Sequence, residues 1–369
     1  MERQEFKAVS LFAGAGGMDI GVRDAGFTVL AEIEIDPHCC STLRAAVERE
    51  KRDTTVIQAD VRQVDPVELM RQVGIKEGQL ALLFGGPPCQ AFSQIGKQAS
   101  LEDERGMLLF QMVRFADVMK PKAIMIEQVK GLLSAKGHEG RRGEVFQMLL
   151  DDLDRLGYMA KWKVVKAADY GVPQLRERVF TVAMRRPNSF HFPTPTHSSV
   201  ESASPLFELS PYVTVGQALS GLGAPASKNG HLPNDSHVDV TPKGDRHRIH
   251  GVPEGSYLAA QRHLPPEQLR NLSKKDTTKF LRLGFDKPSN TLRCGEIFFH
   301  PKEDRYLTPR EYMRLHGYPD GYELRGPVRS RSGRVRDLDQ HRQIANSVPP
   351  PLARAVASQI MAALNGKTV

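Results

Sequence analysis

The chain has 369 residues, 40% of them hydrophobic and 25% charged, and no apolar run of the roughly 18 residues a membrane helix needs, which excludes a spanning or disordered chain and leaves room for one large domain and a smaller one. Its four cysteines, Cys39, Cys40, Cys89 and Cys294, have neither the spacing of a zinc site nor that of a disulfide framework, so no metal is expected. The formal charge of +8 has the sign of a protein that neutralises phosphates, and a charged start without a secretion signal points to the cytoplasm.

From Ala8 to about Met184 short apolar runs alternate with amphipathic stretches, the rhythm of a doubly wound, mostly parallel α/β sheet. The predicted strands are AVSLFAG (8–14), TVLAEIE (28–34), TVIQAD (55–60), LALLFGG (80–86), AIMIEQV (123–129), WKVVKAAD (162–169) and RVFTVAM (178–184). Helices are predicted from Pro37 to Glu48 and from Gly106 to Met119, the second stopped ahead of Pro121. Between 186 and 296 the chain turns rich in proline and histidine and loses its periodicity, which reads as a loop-rich domain inserted into the first, 1–185 with 297–369. LTPREYMRLHGYP (307–319) reads as a helix. QIANSVPPPLARAVASQIMAAL (343–364) reads as a longer one, amphipathic through Leu352, Val356, Ile360 and Leu364. Both are expected to pack onto the first domain.

Four segments carry chemistry. VSLFAGAGGMDIG (9–21) runs from a strand through a glycine-rich turn into a helix, a turn that lets a ligand approach backbone N–H groups. Asp19 stands where the dinucleotide fingerprint has its third glycine, which disfavours a nicotinamide cofactor; Glu34 and Asp60, closing the next two strands, suit a ribose diol and an adenine amine. In FGGPPCQAFSQIGK (84–97), Cys89 sits in a Gly-Pro-Pro turn at the carboxyl end of a strand, where open α/β sheets bind ligands, so it reads as a nucleophile more than as a structural thiol. Glu127 closes an apolar run and must be solvated or bonded within a pocket. In YGVPQLRERVF (170–180), Arg176 and Arg178 are expected on one strand face, needing anionic or carbonyl partners.

FAGAGG (12–17), PPCQAFS (87–93), the Glu-x-Val element at Glu127, QLRERVF (174–180) and QIANSVPPPLA (343–353) occur in the order found in bacterial cytosine-5 DNA methyltransferases of restriction-modification systems. The chain resembles that family nearly throughout, apart from the variable 186–296. The resemblance implies a Rossmann-like domain using S-adenosylmethionine, with a target-recognition domain inserted. It also implies methylation of carbon 5 of a flipped-out cytosine in a specific duplex DNA sequence, through a covalent adduct between Cys89 and carbon 6. A monomer is expected, with a restriction endonuclease acting on the same site as a functional counterpart that makes no physical contact.

Carried over by position, the cofactor loop falls on Phe12, Gly14, Gly16 and Gly17, the ribose carboxylate on Glu34 and the adenine side on Ile35 and Asp60. Pro88 lies beside the nucleophile, and Asn346 and Ser347 close the pocket. Glu127 is implied to bond N3 and the exocyclic amine of the base, with Arg178 near O2 and Arg176 supporting the cysteine loop. The loop from about Gln90 to Gly106 is implied to close over DNA, with Gln90, Ser93, Lys97 and Arg105 as DNA contacts.

Two features depart from the family. Gln128 replaces its usual asparagine, though the longer amide can still reach the cysteine turn, and the run from Arg325 to Arg342, holding Arg329, Arg331, Arg334 and Arg336, reads equally as a phosphate-binding arm or a basic loop. A tRNA cytosine-5 methyltransferase of the same fold also carries Pro-Pro-Cys-Gln; the following AFS and the long insertion favour DNA. A catalytically inactive DNA-binding relative would have no need of Cys89, Glu127 and both arginines.

Overall fold

The computed structural model describes residues 5–88, 107–137, 139–185, 189–199, 209–227, 235–260, 263, 265, 267, 279–329 and 337–366. They form two compact units, Met1–Lys166 with Glu177–Thr194 and Pro350–Val369, and Ala167–Arg176 with Pro195–Pro349.

The first unit holds all seven predicted strands: β1 (Lys7–Leu11), β2 (Thr28–Glu34), β3 (Thr55–Gln58), β4 (Leu82–Gly85), β5 (Ala123–Gln128), β6 (Tyr158–Lys166) and β7 (Glu177–Arg185). They form one sheet in the order β3-β2-β1-β4-β5-β7-β6. The pairings among β1 to β5 are parallel, and β7 runs antiparallel to β5 and β6. Every residue of β4 and β5 is buried, the pattern of strands covered on both faces. The first three strands run outward from β1, and the chain then crosses to β4 on the other side of it. The carboxyl ends of β1 and β4, aligned at Leu11 and Gly85, therefore flank the switch point where such sheets bind ligands.

The helices of this unit are α1 (Gly17–Asp24), α2 (Pro37–Arg49), α3 (Pro66–Gln72), α4 (Met107–Met119) and α5 (Glu144–Arg155). Asp36 caps α2 by accepting from the N–H groups of His38 and Cys39 at 3.0 and 2.9 Å, with Pro37 in the first turn, where its missing N–H costs nothing. α5 buries Val145, Phe146, Leu149 and Leu153; for Leu149 and Leu153, both fully enclosed, that contributes about 1.5–3 kcal/mol each. The helix Pro350–Leu364 packs on α1 so closely that a Cβ on Gly21 would lie 2.5 Å from the amide nitrogen of Arg354 and clash with the Pro350 carbonyl. No helix among the described residues is long and apolar enough to cross a membrane.

The second unit is built of short elements: the strand pairs His197–Ser198 with Ser210–Pro211 and Ala226–Ser227 with Val238–Asp239, and the helices Val215–Leu219, Lys243–Ile249, Pro309–His316 and Gln340–Asn346. Two expectations change here. The stretch 343–364 is two helices, because Pro349, Pro350 and Pro351 offer no N–H to continue the first. Residues 297–349, expected with the first domain, pack in the second unit. The helix Pro309–His316 explains this: the buried Arg310 donates to the carbonyls of Asp235 (2.6 Å) and Tyr322 (3.0 Å), Tyr312 meets the His341 ring edge-on, and Glu311 pairs with Arg305 at 2.7 Å away from water.

Candidate active site

The predicted cofactor loop leaves β1 through left-handed backbone at Phe12 (φ 57°), Gly14 (φ 55°) and Gly16 (φ 75°). Gly16 is the N-cap of α1, which no side chain caps, and the N–H groups that open a helix have no partner within it, which suits a ligand. The space beside Gly14 is open, with nothing within 4 Å of where a Cβ would lie. Glu34, at the end of β2, accepts from the Gly14 N–H on one carboxylate oxygen and from the Ile35 and Asp36 N–H groups on the other, each at 2.8 Å. Burial nevertheless pushes its carboxyl above the ordinary value, outweighing those three bonds. Ile35 leaves 38% of its surface exposed, an apolar flank suited to a planar ring. Asp60 caps the turn Val61–Gln63 and is gripped by Arg62, Nη2 to Oδ2 at 2.6 Å.

Across the switch point the glycine that ends β4 is sterically required and the one after it is tightly placed. A Cβ on Gly85 would lie 2.5 Å from the Leu11 carbonyl oxygen, and one on Gly86 would lie 3.2 Å from Glu127 Oε2. Glu127, buried at the end of β5, pairs through Oε1 with Nε of Arg178 at 2.9 Å. The strand register explains that contact: Glu127 lies opposite Phe180 on β7, so Arg178, two residues away, shares its face diagonally. Gln128 is buried and donates from Nε2 to the Pro87 carbonyl at 2.6 Å. The departure from asparagine therefore keeps a bond to the cysteine turn. Pro88 is exposed. Cys89, Gln90, Ser93, Lys97 and Arg105 lie outside the described residues, as do Arg331, Arg334 and Arg336; Arg329 rests 4.8 Å from the centre of the Tyr306 ring.

Arg176 and Arg178 do not share a strand. Arg176 precedes β7 and belongs to the second unit, where its own N–H bonds the Gln174 carbonyl and its carbonyl accepts from Ala167. Its guanidinium donates to the carbonyls of Ala345 (3.1 Å) and Ser347 (3.0 Å). In the same unit the Cys294 thiol donates to Asn346 Oδ1, and Ser347 Oγ to the Ile344 carbonyl.

A charged cluster in the first unit escaped the sequence reading, although Asp19 in place of a glycine signalled it. Asp19 on α1 and Glu32 on β2 are fully buried, and Glu32 Oε1 lies 2.9 Å from Arg23 and 3.2 Å from Arg52. Burial raises both carboxyls, and Glu32, further raised by the charge of Asp19, reaches about 7.

The family model of C-5 cytosine-specific DNA methylases matches residues 6–362. The chain belongs to that family. Its relatives include the Type II methyltransferases M1.HphI of Haemophilus parahaemolyticus, 31% identical over 96% of this chain and 86% of that one, and M.PspPI of Psychrobacter sp. (strain TA137), 34% identical over 98% and 80%. Among solved structures, a DNA modification methyltransferase encoded within a prophage of E. coli shares the fold at a TM-score of 0.70 and 22% identity, covering 98% of this chain and all of that one. A mutant of Spodoptera frugiperda DNMT2 does so at 0.57 and 16%, covering 97% and 100%. This cytosine-5 DNA methylase thus has the Rossmann-like methyltransferase sheet, with Glu127 on β5 paired to Arg178 on β7.

Proposed function

We propose that this methylase transfers the methyl group of S-adenosylmethionine to carbon 5 of a flipped-out cytosine in a specific duplex DNA sequence, through a Cys89 adduct, as the modification enzyme of a restriction-modification system. The observation that carries the reading is the Glu127–Arg178 pair between β5 and β7, next to a Gly-Gly-Pro-Pro turn that Gln128 holds through the Pro87 carbonyl. The loop residues suit the cofactor: open space at Gly14, an uncapped α1 at Gly16 and Gly17, a fixed carboxylate at Glu34 and an apolar flank at Ile35. Phe12, Asp60, Pro88, Asn346 and Ser347 complete the assignment by resemblance, with Arg62 sharing Asp60 with the adenine.

In the reaction the Cys89 thiolate adds to carbon 6, and the displaced π electrons make carbon 5 nucleophilic. Glu127 hydrogen-bonds N3 and the exocyclic amine while Arg178 holds the carboxylate and reaches O2. The bound cofactor supplies the electrophilic methyl group. Loss of the carbon 5 proton to a base then expels the cysteine sulfur and restores the aromatic ring. By resemblance, Gln90, Ser93, Lys97 and Arg105 contact the DNA and Arg176 supports the cysteine loop. The enzyme works as a monomer in the cytoplasm, its counterpart being an endonuclease of the same site.

Duplex DNA containing 5-fluorocytosine tests this chemistry, because fluorine cannot leave as the proton does. A denaturant-resistant protein–DNA complex is expected with S-adenosylmethionine present, and none with Cys89→Ser. Methyl transfer to tRNA but not to duplex DNA would overturn the reading. Bisulfite sequencing of DNA from expressing cells reports the methylated motif.

A further inference from the structure

We infer that His316 is a positioning residue: through a hydrogen-bond chain beginning at Gln174, it fixes the Asn346–Ser347 turn for cofactor binding, an inference that rests on the S-adenosylmethionine reading above. The turn needs outside support. It closes the helix Gln340–Asn346, whose last carbonyls have no helical partner, and the three prolines that begin at Pro349 bring no N–H groups to hold it.

The polarity of the chain is fixed at each link. Gln174 is fully buried, and its Oε1 accepts from the Leu292 N–H at 3.1 Å, so Nε2 is its donor end. Nε2 donates to the Leu315 carbonyl at 3.1 Å and meets His316 Nδ1 at 3.0 Å. Nδ1 must therefore present a lone pair, which leaves the proton of the neutral ring on Nε2, 3.0 Å from the Ser347 carbonyl oxygen. The ring itself is fully enclosed at the end of the helix Pro309–His316. Arg176 donates to the same Ser347 oxygen and to Ala345, so two side chains from separate segments converge on one carbonyl. The Cys294 thiol donates to Asn346 Oδ1 on the same turn. A buried histidine that merely filled space would not need a single tautomer matched at both nitrogens.

The test uses the full-length chain and His316→Gln, His316→Asn and His316→Phe. Glutamine carries its amide nitrogen out to the position of the imidazole Nε2, asparagine stops short of Ser347, and phenylalanine keeps the volume without a donor. S-adenosylmethionine binding measured by equilibrium dialysis should weaken about tenfold in the Asn and Phe variants, the cost of taking one of its two donors from the buried Ser347 carbonyl, and recover to within about twofold of wild type in the Gln variant. kcat at saturating S-adenosylmethionine and duplex DNA affinity should be unchanged. ¹⁵N spectra, with the His316 resonances assigned by their loss in the Gln variant, should show that ring neutral and protonated at Nε2. Wild-type affinity in all three variants would overturn the inference, as would a Phe variant that melts early yet binds the cofactor normally, or a His316 protonated at Nδ1. Wild-type protein that bound no S-adenosylmethionine would instead sink the cofactor reading, and this inference with it.

Discussion

Glu127→Gln keeps the size and one acceptor of the side chain while removing the charge that faces Arg178. If Glu127 stabilises the activated base, kcat on duplex DNA should fall by about 10²–10⁴, with S-adenosylmethionine affinity unchanged; an unaltered kcat would remove Glu127 from the chemistry. Much at this scale was readable beforehand. A glutamate ending an apolar run left two readings open, solvated or bonded, and it is buried against Arg178. Gln128 was expected to reach the cysteine turn, and it reaches Pro87. The shared strand face of Arg176 and Arg178 was misread because alternation says which residues face together only once a strand has begun. β7 begins at Glu177, after backbone bonds among Ala167, Gln174 and Arg176 have committed the preceding segment elsewhere. His316 and Gln174 were not legible at all, since they meet each other across 142 residues of sequence.

At the scale of elements, the closest approach is α1 against the helix Pro350–Leu364. Gly21→Ala should destabilise the protein by about 1–3 kcal/mol through overpacking, read as a lower urea midpoint, whereas an unchanged midpoint would mean that the two helices can move apart freely. The buried pair between α1 and β2 makes stability depend on pH. Glu32 is raised from 4.5 in the unfolded chain to about 7 in the folded one, so its stabilisation is complete below pH 4.5 and is lost as pH rises to about 7. Unfolding free energy should decline across that window in the wild type and decline less in Glu32→Gln; parallel curves would contradict the raised carboxyl. The strands were the most legible elements because buried parallel strands are continuous apolar runs. Their ends were less so: β6 starts four residues earlier than predicted, at Tyr158, because the turn at Gly157 (φ 84°) releases the chain from α5 directly into the sheet. The break after Asn346 could have been anticipated from the proline run, which amphipathic spacing overrode.

For the whole molecule, the net charge of +8 predicts that binding to duplex DNA, measured by fluorescence anisotropy, weakens about a hundredfold or more between about 50 and about 200 mM salt as counterions are released. A flat salt response would argue against a phosphate-dominated complex. The borders of the two units were not legible from composition, because texture marks where periodicity stops and says nothing about which core a later helix joins. Residues 297–349 show this, being periodic in sequence yet packed in the second unit. The close seat of the helix Pro350–Leu364 on α1 also sets an order of events during synthesis. α1 and the glycine loop leave the ribosome early, but the surface that covers α1 emerges only after both units' strands have been made. A nascent chain therefore carries an uncovered α1 for most of its translation, and a product cut short before Pro350 would expose the same face permanently.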